Sequence, residues 1–146
     1  METFAEGDDV AVRCDPGDDL LGSIEHAIER HDLQDATVVG GVGTLSRLRV
    51  YYLDASKLSR PREERDVVRA EPGNWEITSL SGVVADSEPH VHVGVHEGDR
   101  TLGGHLLSGS PVSALAEVAL RRTGLSLRRE ADDDDVHDGG EGPREC

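Results

Sequence analysis

Residues 75–106 constrain the fold of this chain more than any other stretch. Residues 75–85 alternate as a strand does: Trp75, Ile77 and Ser79 share one face, and Glu76, Thr78 and Leu80 share the other. Further on, Glu97-Gly98-Asp99-Arg100 is a run of turn-forming residues between Val93-Gly94-Val95 and Thr101-Leu102, which predicts a hairpin. Pro89-His90-Val91-His92 lies on its outgoing arm and Gly103-Gly104-His105-Leu106 on its return arm. His90 and His92 point to the same face of a strand. Their Cα atoms would lie about 6.6 Å apart at a rise of about 3.3 Å per residue. Folding the chain at the turn brings His105 towards the pair.

Three neutral imidazoles with an open fourth position suit zinc or a similar divalent metal, at about 2.0–2.1 Å per nitrogen. Histidines on a strand face also occur as surface or core residues, and the third histidine on the return arm is what favours a metal. The candidate ligands are therefore His90, His92 and His105. His96 shares their phase but sits at the edge of the turn, as a weaker fourth candidate. His26, His31 and His137 read as solvent-facing or helix-end residues.

The 146 residues suggest one domain over 1–130, long enough to bury a core. Thirty acidic residues against fifteen basic ones give a formal net charge of −15, and Lys57 is the sole lysine. That bias resembles the proteins of extreme halophiles. Self-repulsion at this charge is screened as the Debye length falls to about 3 Å at 1 M salt, so a salt-requiring protein is expected. The alternative is an ordinary acidic protein with an acidic tail. No basic block offers a nucleic-acid footprint: Arg60-Pro61-Arg62, Arg121-Arg122 and Arg128-Arg129 are the densest points. No apolar run approaches the roughly 18 residues of a membrane span, and residues 1–6 hold no apolar signal core. Cys14 and Cys146 do not make a disulfide framework. The expected location is cytoplasmic.

Elsewhere, residues 10–14 read as a strand broken by Asp15-Pro16-Gly17-Asp18. Asp18 or Asp19 caps a helix in which Leu20, Leu21, Ile24, Ala27 and Ile28 form one apolar stripe, ending near His31. Residues 36–45 read as a strand entering Gly40-Gly41-Val42-Gly43, and residues 48–54 as the next strand. The glycines lack the Gly-Lys-Ser/Thr ending of a phosphate loop and read as a bulge or a close backbone approach. Residues 56–66 read as a loop and 67–69 as a short strand. Residues 112–120 form a strand with Ala114, Ala116, Val118 and Leu120 on one face. Leu125-Ser126-Leu127 closes the domain, and the acidic residues 131–146 read as a disordered, solvated tail.

Taken in order, Gly41-Val42-Gly43-Thr44-Leu45, Val50-Tyr51-Tyr52, Glu76-Ile77-Thr78-Ser79-Leu80-Ser81-Gly82, Pro89-His90-Val91-His92, Gly103-Gly104-His105-Leu106 and Glu117-Val118 resemble the plants-and-prokaryotes-conserved (PPC) domain in its stand-alone prokaryotic form. The resemblance covers roughly residues 9–129. It implies an α/β (α+β) domain whose mostly antiparallel, curved sheet packs with one or two helices, and association as a homotrimer. It also implies metal ligation by His90, His92 and His105 near the subunit contacts. Gly94 stands where some relatives carry a further histidine. The plant relatives add an Arg-Gly-Arg-Pro hook for DNA, and Ser59-Arg60-Pro61-Arg62 lacks its glycine. Their partner-contact segment Gly-Arg-Phe-Glu-Ile corresponds to Gly73-Asn74-Trp75-Glu76-Ile77, with Asn74 in place of the arginine.

Two functional readings follow. One is a DNA-binding or regulatory module of the PPC kind, which the charge does not favour. The other is a metal-dependent enzyme or small-ligand binder in which a metal-bound water becomes a nucleophile near neutral pH, with Glu76 or Glu117 as candidate general base. A closed coordination shell would instead make the metal a staple of the trimer.

Overall fold

The computed structural model describes residues 1–127. The acidic tail, His137, Cys146 and Arg128-Arg129 lie outside the described residues. The elements are β1 (Glu2–Glu6), β2 (Asp9–Cys14), α1 (Leu20–Arg30), β3 (Ala36–Leu53), a 3-10 turn (Ala55–Lys57), α2 (Arg62–Arg65), β4 (Asp66–Ala85), β5 (Glu88–Glu97), β6 (Arg100–Leu106) and β7 (Val112–Arg122). No helix among these residues is long and apolar enough to cross a membrane.

Seven antiparallel strands form one sheet in the order β1-β2-β7-β3-β4-β5-β6. The far end of β3 also pairs with β6, through Val50 with Leu106 and Tyr51 with His105. That extra pairing curls β3, β4, β5 and β6 into a closed ring. This is the curved, mostly antiparallel sheet with few helices that the sequence implies.

α1 covers one face of the sheet and buries Leu20, Ser23, Ile24, Ala27 and Ile28. Asp19 starts it: one carboxylate oxygen accepts from the Gly22 N–H at 2.9 Å, satisfying a donor that the first turn leaves unpaired. Its other oxygen accepts from the Gly109 and Ser110 N–H groups at 2.7 and 2.8 Å. One aspartate therefore caps the helix and pins the β6–β7 loop to it. The same core holds Val12, Cys14, Leu45, Trp75, Val84, Val95, Ala116 and Leu120, all buried.

Several readings need correction. The two segments 36–45 and 48–54 are one strand, and so are 67–69 and 75–85, because the glycines and Pro72 lie at or beside register shifts rather than at strand ends. Gly41 and Gly43 do mark a close approach: a Cβ at Gly43 would lie 2.5 Å from the Leu115 carbonyl oxygen. In β4 a bulge between Ile77 and Ser79 shifts the alternation by one residue. Leu80 therefore joins Trp75 and Ile77 in the core, and Ser79 turns outward. Ala114 is exposed while Ala116, Val118 and Leu120 are buried. Residues 55–65 are not a plain loop, since they hold the 3-10 turn and α2. At the end of the described residues Leu125 is exposed, and the Leu127 N–H donates to Asp35. β1 was not anticipated. It pairs with β2 across a turn at Gly7, whose φ of 59° suits glycine.

Candidate metal centre

The β5–β6 turn at Gly98 has φ 58° and sets His92 directly opposite His105. Side chains two residues apart on a strand share a face, so His90 joins them. The three rings meet: centroids lie 4.0 Å apart for His92 and His105, 4.6 Å for His90 and His105, and 5.3 Å for His90 and His92. His90 Nε2 and His105 Nδ1 are hydrogen-bonded at 2.7 Å, so one ring carries the proton and the other accepts it. Among the described residues, these three form the one group of histidine, cysteine or carboxylate side chains whose ligand atoms all lie within 4.8 Å of one another.

That geometry fits a tetrahedral ion once the three rings draw together around it. Bonds of about 2.0–2.1 Å at tetrahedral angles place ligand nitrogens about 3.3 Å apart. The His90–His105 hydrogen bond would open by about 0.6 Å to admit an ion and release its proton. The donor set also fits. Burial pushes the His105 imidazole down to a pKa of about 4, helped by charge on His92 and His90 and opposed by Asp66. Its ring is neutral near pH 7 and offers a lone pair. His92 is exposed and the other two rings are half-buried, leaving one side of the cluster open.

The same shift predicts a pH response of the metal-free protein. The unfolded chain takes a proton on His105 at about pH 6.5, and the folded chain does so only near pH 4. Between these values the unfolded state binds more protons, so stability falls with acidification. The contribution is complete above about pH 6.5 and is lost progressively towards about pH 4. Thermal melts of chelator-treated protein check this; a midpoint that stays flat across the window would contradict it.

Three further residues surround the cluster, and the sequence did not single them out. Tyr51 pairs with His105 and stacks on it, with centroids 4.2 Å apart and planes 8° from parallel. Arg62, at the start of α2, donates to the Asp66 carboxylate at 3.3 Å and lies beside the Tyr51 hydroxyl, and both raise its already high pKa. Asp66 also faces Arg65 at 3.6 Å. Gly104 permits the stack, since a Cβ there would lie 2.5 Å from the Tyr51 carbonyl oxygen.

The remaining candidates fall elsewhere. His96 is outside the cluster and faces Glu76 at 3.4 Å. Glu117 lies on β7 opposite Val42. Neither glutamate belongs to the histidine group. Gly94 has little room for a larger residue: a Cβ there would lie 2.6 Å from Ser79 Oγ. His26 is exposed, and His31 ends α1, with its ring on Thr3 Oγ1 at 3.0 Å.

The model of the Plants and Prokaryotes Conserved (PCC) domain matches residues 1–123. The chain belongs to that family. Among curated relatives, the bifunctional protein GlmU of Synechococcus sp. (strain JA-3-3Ab) is 31% identical over 110 residues, which are 75% of this chain. They are 16% of that protein, so the chain spans about a sixth of the curated relatives it matches. Among solved structures, the metal-containing protein AF0104 from Archaeoglobus fulgidus is 29% identical, with a TM-score of 0.67 over 84% of this chain and 85% of that one. A candidate DNA-binding protein from Bacteroides thetaiotaomicron has a TM-score of 0.77 over 91% of each chain; at 17% identity it is a likeness of fold.

Proposed function

We propose that this PCC-domain protein is a divalent-metal-binding module, working as a homotrimer, in which His90, His92 and His105 hold one ion. Zinc is the first choice, because a compact set of imidazoles suits it. The observation that carries the reading is the convergence of three imidazole ligand atoms within 4.8 Å on an open face. Similarity to the metal-containing Archaeoglobus protein supports it. The test is elemental analysis of tag-free protein purified in high salt: about one ion per chain is expected, and none would overturn the reading. A single domain over 1–130, a solvated acidic tail, a salt requirement and a cytoplasmic location complete it.

The homotrimer rests on an apolar set. Val42 on β3 and Leu115 on β7 lie on neighbouring strands, and Val83 on β4 lies directly opposite His90. They are exposed by 61%, 38% and 40%. Exposed valine and leucine side chains on neighbouring strands fit a contact between copies of the chain. Light scattering in molar salt is expected to give three times the 15.7 kDa chain mass, and Val42→Asp is expected to shift it to one. A wild-type mass of one chain would defeat the trimer.

A second reading, DNA contact, is favoured by the likeness to the Bacteroides protein. It must overcome the charge. Arg121 is taken up by Asp9 and Arg100 by Glu97. Phosphate contacts also weaken steeply with salt. Fluorescence anisotropy of a labelled duplex across a salt series tests it. No binding at the lowest salt that keeps the fold intact would eliminate this reading.

A further inference from the structure

We propose that the open position of the His90–His92–His105 ion takes a small oxyanion, a carboxylate or a phosphate, whose outer oxygen is held by Arg62 beside Tyr51. This rests on metal occupancy of the three histidines. Charge is the first argument. Three neutral imidazoles leave the full 2+ of the ion uncompensated, and no carboxylate belongs to the ligand group. In a chain with thirty acidic residues that omission defines the site. The nearby carboxylate, Asp66, is taken up by Arg62 at 3.3 Å and Arg65 at 3.6 Å. The neighbourhood of a loaded site is therefore positive, and an anion completes it.

Placement is the second argument. Tyr51 stacks on His105 and the Arg62 guanidinium lies beside its hydroxyl, so Arg62 approaches the rim of the cluster through one intervening ring. Arg62 uses Nε on Asp66, and its side chain is 63% exposed. A guanidinium carries five N–H donors in a planar fork that matches the spacing of oxyanion oxygens. An oxyanion with one oxygen on the metal presents another towards that fork. The exposed His92 side of the cluster leaves a path of entry.

The test uses the full chain loaded with cobalt(II), whose visible absorption reports the coordination sphere. Acetate and inorganic phosphate are titrated separately, at the lowest constant salt that keeps the protein folded. A saturable spectral change is expected with at least one of them. Response to acetate alone assigns carboxylates, response to phosphate alone assigns phosphates, and response to both assigns oxyanions in general. Arg62→Gln is expected to weaken the apparent affinity about tenfold, the loss expected for a charge-assisted hydrogen bond, with cobalt content unchanged. Arg62→Lys, which keeps the charge and loses the fork, should fall between. No spectral response to either anion in fully loaded protein would overturn the site. So would an unchanged affinity in Arg62→Gln. Failure of the wild-type chain to take up cobalt would overturn the metal reading first, and the anion site with it.

Discussion

His92→Ala is expected to empty the metal centre while leaving the sheet in place. His92 is exposed, so little packing is lost with its ring. What is lost is one of three ligands, and two imidazoles hold a divalent ion far more weakly than three. The wild-type chain should carry about one ion, and the variant less than about a tenth of that after dialysis, since outer-shell changes alone cost about 10–100-fold in affinity. Circular dichroism in high salt should be unchanged. The thermal midpoint should fall to that of chelator-treated wild type, because an ion that binds only the folded chain stabilises it by mass action. Equal metal content in the two proteins would remove His92 from the ligand set. Loss of the fold together with the metal would make His92 a structural residue. His96→Ala is the control: its ring faces Glu76 rather than the cluster, and metal content should hold.

The convergence of the histidines was legible because it depends on local rules. Strand parity puts His90 and His92 on one face, and a four-residue turn sets His105 against His92. All the necessary information lies within residues 90–105. Tyr51, Arg62 and Asp66 were not legible for the opposite reason. They reach the cluster only because β3 pairs with β6, joining residues 50 and 51 to 106 and 105. No local pattern encodes that closure. The buried Leu80 shows how far one bulge carries: two-residue alternation holds up to Ile77, and a single unpaired residue reverses it beyond. β1 escaped because Glu2–Glu6 has no apolar stripe; its strand exists through pairing with β2, and four of its five residues are exposed.

Trp75→Ala is expected to destabilise the protein by about 3–5 kcal/mol, the usual cost of truncating a buried aromatic residue. The indole is fully buried. Its Nε1–H donates to the Glu71 carbonyl at 2.9 Å, and the Arg100 guanidinium lies 4.8 Å over the ring. Truncation leaves a cavity in the core, strands the Glu71 carbonyl, and removes the platform under Arg100. Against a total stability of about 5–15 kcal/mol, that loss is large. Repulsion within a chain of net charge −15 adds to it in dilute buffer. The variant is therefore expected to fold in molar salt and to unfold at low salt, as urea titrations at fixed protein concentration would register. Trp75→Phe keeps most of the volume and loses the hydrogen bond, so it should cost only about 1–2 kcal/mol. A Trp75→Ala cost below about 1 kcal/mol would mean that the core tolerates the cavity. The same burial bears on partner binding. The plant segment that Gly73-Asn74-Trp75-Glu76-Ile77 resembles makes contacts with partners, but here the aromatic ring faces inward. Any partner meeting this strand would touch Asn74 and Glu76, which are exposed, and a loss of binding in Trp75→Ala would report a disturbed strand rather than a missing contact.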